Sequence, residues 1–153
     1  MFLSRGCAVI LLFFFWVQPQ LWAQNQSETG DTTEPVSLVG LTLAELIQRF
    51  GMPRSVHAVR GLEEWQDDVV FVYELGDFYI YKNRVWQMGL KAALGIRLGD
   101  TYGTIAMVLG PGVEKRGDSV FYPLDEGSWP LMLRYDFDKA GRIQAIFIYR
   151  TDF

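Results

Sequence analysis

Two stretches of this chain carry the same punctuation. Gly40-Leu41-Thr42-Leu43-Ala-Glu-Leu46-Ile47-Gln-Arg-Phe50-Gly51-Met-Pro53 aligns with Gly99-Asp-Thr101-Tyr102-Gly-Thr-Ile105-Ala106-Met-Val-Leu109-Gly110-Pro111 at an offset of 59 (99 − 40). An internal repeat constrains a fold strongly, because each copy must be one supersecondary unit that buries its apolar face against a neighbour. In both copies a Thr stands where its hydroxyl can accept a backbone N–H at a helix start. Leu43, Leu46, Ile47 and Phe50 then share a helical face, as do Tyr102, Ile105, Ala106 and Leu109. Gly51 and Gly110 stand where a positive φ ends a helix, with a Pro beyond. Helices of about nine residues do not hold alone in water, so each must pack on something else.

Sheet-forming runs follow each helix. Val69–Tyr73, Phe78–Tyr81 and Val85–Met88 in the first copy, and Ser119–Tyr122, Leu131–Phe137 and Ile143–Tyr149 in the second, are rich in β-branched and aromatic residues. Gly76-Asp77, Lys82-Asn83, Pro123–Pro130 and Asp138–Gly141 read as the connections. The expected fold is α+β: two helix-plus-three-stranded-meander repeats, about 36–94 and 95–153, joined into one antiparallel sheet with helices on one face.

The Gly-x-Thr, apolar, Gly with a nearby Pro signature ahead of a meander, repeated from about Val36 to Tyr149, resembles the β-lactamase-inhibitor-protein-like fold. The half-unit is similar to that of the SmpA/OmlA-type outer-membrane assembly lipoproteins. The resemblance implies a fold and an envelope setting, and it transfers no functional residue. The lipoproteins carry a lipidated Cys behind the signal's apolar run. Here the single Cys, Cys7, precedes that run, so no lipid anchor is expected.

The amino-terminus fits export. Arg5 precedes the apolar run Ala8–Val17, ten residues (17 − 8 + 1), and polar residues lead to Ala23. A membrane-spanning helix needs roughly 20 residues, so residues 1–23 read as a cleaved signal peptide rather than an uncleaved anchor. Residues 24–35 (QNQSETGDTTEP) lack any large apolar side chain and read as a flexible tether, leaving 36–153 as a single domain. The mature chain then has no Cys, hence no disulfide and no thiolate chemistry. The expected location is periplasmic or secreted.

No constellation of residues points to catalysis. His57 is the only histidine and has neither nucleophile nor orienting carboxylate at local spacing. Asp136–Gly141 faintly resembles a calcium loop, but Ala140 and Phe147 stand where oxygen ligands are needed, so it reads as a hairpin turn. The acidic run Glu63–Asp68 reads as a solvated loop. No enzyme activity, cofactor or metal site is expected. A net charge of −4 with no Lys/Arg stripe argues against a nucleic-acid partner.

Strict strand alternation places Val85 and Gln87 on one face, Trp86 and Met88 on the other, with Ile143, Ala145 and Phe147 opposing Ile146 and Ile148. The face away from the helices would then keep large apolar residues, either as a partner surface or covered by loops 54–68 and 123–130 with Trp65 and Trp129. The expectation is a non-enzymatic envelope module binding a protein partner through Trp65, Trp86, Met88, Trp129, Ile146 and Ile148. The competing expectation is a small ligand-binding protein or hydrolase with a pocket between sheet and helices.

Overall fold

The computed structural model describes residues 33–60, 68–125 and 127–152. The signal segment 1–23, most of the tether and the run 61–67, which includes Trp65, lie outside the described residues. Helix α1 spans Thr33–Leu38, so regular structure begins within the segment read as a tether. Val36 and Leu38 of α1 and the adjacent Val39 are buried.

Helix α2 (Leu43–Phe50) begins as its sequence dictates. The Thr42 hydroxyl accepts the Glu45 backbone N–H at 3.3 Å, and the Glu45 carboxylate accepts the Thr42 N–H at 2.8 Å, a reciprocal capping box. Gly51 ends it at φ 75° and ψ −158°, donating its N–H to the Ile47 carbonyl at 2.8 Å. Strands β1 (Ser55–Val59), β2 (Asp68–Val72), β3 (Gly76–Tyr81) and β4 (Arg84–Leu90) follow. Lys82 and Asn83 both take positive φ in the two-residue turn between β3 and β4, matching the strand twist. A small hairpin, β5 (Ala92–Ala93) and β6 (Ile96–Arg97), leads to α3 (Tyr102–Leu109). Thr101 precedes α3 but makes no side-chain cap bond, and Gly110 ends it at φ 68° and ψ −150°. Strands β7 (Glu114–Arg116), β8 (Ser119–Leu124), β9 (Leu131–Phe137) and β10 (Ile143–Arg150) complete the described chain.

Eight strands form one antiparallel sheet in the order β1-β2-β3-β4-β10-β9-β8-β7. The centre is the β4–β10 pair, with Leu90 opposite Ile146 and Met88 opposite Ile148. Two sets of contacts tie helix entrances to sheet. Thr42 bridges to Arg84, Gly40 N–H donates to Val85 O at 2.8 Å, and Arg84 Nη1 donates to Gly40 O at 2.8 Å. Thr101 bridges to Arg142, Gly99 N–H donates to Ile143 O at 2.8 Å, and Arg142 Nη1 donates to Gly99 O at 2.9 Å.

The protein is thus an antiparallel sheet with few, short helices. Each run of strands has four members rather than the expected three, because β1 and β7 form the sheet's edges. Every residue of both is exposed, so neither shows the alternating burial that betrays a strand. The expected single layer of helices on one face also needs correction. The side of α1 with Val36 meets the loop before β9, at Gly127. Helix α2 sets Phe50 against Tyr73, just past β2, and Phe78 of β3. Helix α3 lies nearest β6 of the small hairpin.

The core is filled by Leu38, Leu46, Phe78, Val85, Met88, Ile96, Ile105, Leu133, Tyr135, Ile146 and Ile148, all at most 1% exposed. The Tyr135 hydroxyl donates to the Ala93 carbonyl at 3.1 Å, fastening the β5–β6 hairpin to the sheet from inside.

Candidate functional site

Two β-bulges decide which side chains the sheet shows. Along β4 the pairing with β3 runs Val85 to Ile80, then Gln87 to Tyr79, so Trp86 is the extra residue. Along β10 the pairing with β9 runs Ile143 to Phe137, then Ala145 to Asp136, so Gln144 is the extra residue. An inserted residue turns all that follow it by one face. Met88, Ile146 and Ile148 therefore join Val85 and Ile143 in the core, while Phe147 and Tyr149 share the opposite face with Gln87 and Ala145.

That opposite face is aromatic around Arg134, with Arg116 over the Phe121 ring at 5.3 Å toward its edge. In register across the sheet lie Val70, Tyr79, Gln87, Tyr149 and Met132, and beside them Val72, Asp77, Gly89, Phe147, Arg134 and Phe121. Tyr79, Phe147, Tyr149 and Arg134 are each half-buried. Tyr79 meets Phe147 edge-on, centroids 6.2 Å apart at 73°. The Arg134 guanidinium carbon lies 4.6 Å from the Phe147 ring centre and 5.9 Å from that of Tyr149. Arg134 Nε is 3.1 Å from Asp136 Oδ1, and that oxygen also accepts the Ser119 hydroxyl at 2.6 Å.

Electrostatics grade across the patch. Burial raises the Tyr79 phenol above its usual pKa, and Asp77 and Asp68 push it the same way against Arg134. Burial also raises Tyr149, Arg134 and Arg116 oppose it, and Asp136 adds a push in the raising direction. Both phenols stay protonated at neutral pH and can donate as well as accept. Asp77 and Asp68 lie beside Tyr79, whereas Arg134 and Arg116 lie beside Tyr149 with Asp136 among them.

Among the described residues, those singled out from sequence do not come together. Trp86 is half-buried on the aromatic face, where its indole N–H donates to Asp68 at 2.9 Å. Met88, Ile146 and Ile148 face the core at 1% exposure or less and cannot touch a partner while the sheet is intact. Trp129 packs against Gly40, where a Cβ would run into the indole, and lies under the Arg150 guanidinium at 3.6 Å. Trp65 lies outside the described residues. The residues that do form the patch had a readable signal. In Ile146-Phe147-Ile148-Tyr149 and Phe78-Tyr79-Ile80-Tyr81, tyrosine, whose hydroxyl prefers water, alternates with aliphatic or Phe side chains.

Elsewhere, His57 is exposed on edge strand β1, opposite Val70. Asp138 Oδ1 accepts the backbone N–H groups of Ala140 and Arg142, each at 2.9 Å, so this carboxylate organises the β9–β10 turn. Between sheet and helices, where a ligand pocket was the competing expectation, Phe78, Met88, Leu133 and Ile148 belong to the buried apolar core.

The architecture defines a class: an antiparallel sheet with one face in the core and a half-exposed aromatic face opposite. No family model matches the chain, and no curated protein matches it. Among solved structures it is similar to an extracellular protein containing an SCP domain from Bacillus anthracis str. Ames, with a TM-score of 0.50 and 13% identity over 84% of this chain. The match spans 48% of that protein, about half its length. A second similar structure is a DUF4309 family protein (YjgB) from Bacillus subtilis subsp. subtilis str. 168, at TM-score 0.44 and 17% identity over 72% of this chain and 78% of that one. Likeness at these identities concerns the fold. Among the described residues no helix is long and apolar enough to cross a membrane.

Proposed function

We propose that this chain is an exported, non-enzymatic binding module of the cell envelope that takes a protein partner on the aromatic face of its sheet. The observation that carries the reading is the cluster of Tyr79, Phe147 and Tyr149 around Arg134, half-exposed on a rigid sheet. Tyrosine and arginine dominate the energetics of protein interfaces, because they bring large contact area together with polar tips. Export is supported by the apolar run at Ala8–Val17 and by one structural neighbour described as extracellular.

We also read the scaffold as two copies of one unit, residues about 36–94 and 95–153. The mirrored strand order and the paired contacts of Thr42 with Arg84 and Thr101 with Arg142 support this reading. It agrees with the resemblance to the β-lactamase-inhibitor-protein-like fold.

The test is capture of envelope proteins by the mature chain and by a Tyr79→Ser, Phe147→Ser, Tyr149→Ser variant with an unchanged far-UV spectrum. A specific partner should be held by the first and lost by the second. Equal capture by both would overturn the assignment of the face.

A further inference from the structure

We propose that Arg134 is the anchor of this face and that the group it receives is a carboxylate on an acidic segment of the partner protein. The inference rests on the protein-binding reading above and names the chemistry that the face recognises.

Arg134 differs from the other arginines whose bonds are described. Arg84 and Arg142 each donate to a backbone carbonyl, Arg116 makes two bonds to Glu114, and Arg150 makes two to Asp152. Arg134 makes no hydrogen bond among the described residues. Its Nε is buried and lies 3.1 Å from Asp136 Oδ1, but the alignment does not make a hydrogen bond. Asp136 therefore offsets part of the charge without satisfying the donors. A guanidinium carries five N–H groups in a planar fork, and burying donors unmet costs free energy.

The rings decide what the fork can take. With Phe147 at 4.6 Å and Tyr149 at 5.9 Å from its central carbon, the group is held in place by aromatic contacts. Holding it removes rotamer freedom before binding, so little ordering is left to a ligand. A carboxylate matches two parallel N–H donors. A primary amine offers no acceptor. Asp77 and Asp68 lie toward the Tyr79 side and repel a carboxylate there, so the acidic residue is directed to the Arg134 side of the patch. The chain's net charge of −4 also disfavours long-range attraction of acidic partners, so recognition depends on this local contact.

The probes are two capped hexapeptides, one alternating Glu and Tyr, the other alternating Lys and Tyr, titrated into the isotope-labelled mature protein. The readouts are the Arg134 side-chain Nε–H and the ring resonances of Tyr79 and Tyr149. The Glu peptide should move the Arg134 Nε–H saturably, with an affinity at least tenfold above that of the Lys peptide. Arg134→Met should abolish the difference between peptides, and Arg134→Lys should reduce it several-fold. Should Arg134→Met not fold, the unmodified chain and Arg134→Lys still decide the matter. Equal affinities, discrimination that survives in Arg134→Met, or no saturable shift of Arg134 would each overturn the inference. Equal ring shifts with both peptides would remove the carboxylate claim and leave the aromatic face as a binding surface. Loss of partner capture by Phe147→Ser but not by Arg134→Met would separate the two readings in the same way.

Discussion

Replacing Gly51 and Gly110 by alanine probes the local conformation on which the helix-to-strand transition depends. At Gly51 the backbone sits at φ 75° and ψ −158°, and at Gly110 at φ 68° and ψ −150°. This lies outside the ordinary left-handed helical well, since ψ is extended. In this region essentially only glycine is comfortable, and another residue costs on the order of 1–3 kcal/mol. Nothing lies within 4 Å of a Cβ built at either glycine, so the penalty is conformational and not steric. Alanine also narrows the unfolded ensemble, which returns about 0.4–1 kcal/mol. The net expectation is about 1–2 kcal/mol of destabilisation at each site. With an m-value of roughly 1–3 kcal/mol/M, the urea midpoint should fall by about 0.5–1.5 M.

Gly103 supplies the control. It lies inside α3, and a Cβ there meets only Thr101 Oγ1 at 3.6 Å, an ordinary contact. Gly103→Ala should therefore stabilise by about 0.5–1 kcal/mol. The sign separates the two situations, and urea denaturation of the three variants reads it. A neutral or stabilising Gly51→Ala or Gly110→Ala would refute the reasoning, because it would mean that the chain does not hold that glycine at positive φ in solution.

Met88→Ala and Ile148→Ala should each cost about 2–5 kcal/mol in urea denaturation, as expected for side chains at 0% exposure; a cost under 1 kcal/mol would return them to the surface. Thr42→Ala should cost about 0.5–2 kcal/mol, whereas Thr101→Ala should be nearly silent, because only Thr42 makes a side-chain cap bond; equal losses would contradict that asymmetry. The Glu45 carboxyl should titrate below its ordinary 4.5, held down first by the Thr42 backbone N–H and then by the Thr42 hydroxyl. Its folded-state pKa is depressed, so its contribution is present at neutral pH and lost as pH falls through that pKa. Carbon-detected NMR titration should place the Glu45 carboxyl midpoint below 4.5 and move it back toward 4.5 in Thr42→Ala; an unchanged midpoint in Thr42→Ala would refute the capping origin of the shift.

Much of the scaffold was legible because local physics and packing agree there. Thr42 with Glu45 three residues later specifies a helix start, and Leu46 and Phe50 follow at the spacing that buries one stripe. The β-branched and aromatic runs name β2, β3, β4, β8, β9 and β10. Strands β1 and β7 escaped because edge strands need no buried side chain: Ser55–Val59 is exposed throughout, and Glu114-Lys115-Arg116 is wholly charged. The β5–β6 hairpin escaped because two-residue strands carry no period. The Gly76-Asp77 pair, read as a turn, instead opens β3, since the chain reverses one step earlier at Tyr73–Leu75. Three of the residues singled out, Met88, Ile146 and Ile148, face the core for one reason. Alternation is a reliable guide only until a bulge, and both β4 and β10 contain one, which moved Met88, Ile146 and Ile148 inward and Phe147 and Tyr149 outward.

Those bulges also suggest where function can reside on such a scaffold. Aligned on Arg84 and Arg142, the two central strands match Val85 with Ile143, Met88 with Ile146, and Leu90 with Ile148, and each carries its extra residue at the same step, Trp86 or Gln144. These matched positions are the core-facing ones, where volume and apolarity are demanded by packing. On the opposite face the correspondence fails: Gly89 stands against Phe147, and Gln87 against Ala145. Gly89 also pairs directly with Phe147 across the β4–β10 pair, and a Cβ built on it would stand 3.6 Å from the Phe147 ring. Packing does not require that difference. On the proposed two-copy reading, the shared residues serve folding, and a binding face across the junction would be written in residues that the copies do not share. Tyr79 from β3 meets Phe147 from β10 across the β4–β10 centre of the sheet, while Arg134 from β9 lies against Phe147 and Tyr149, so the patch draws on strands from both sides of that centre.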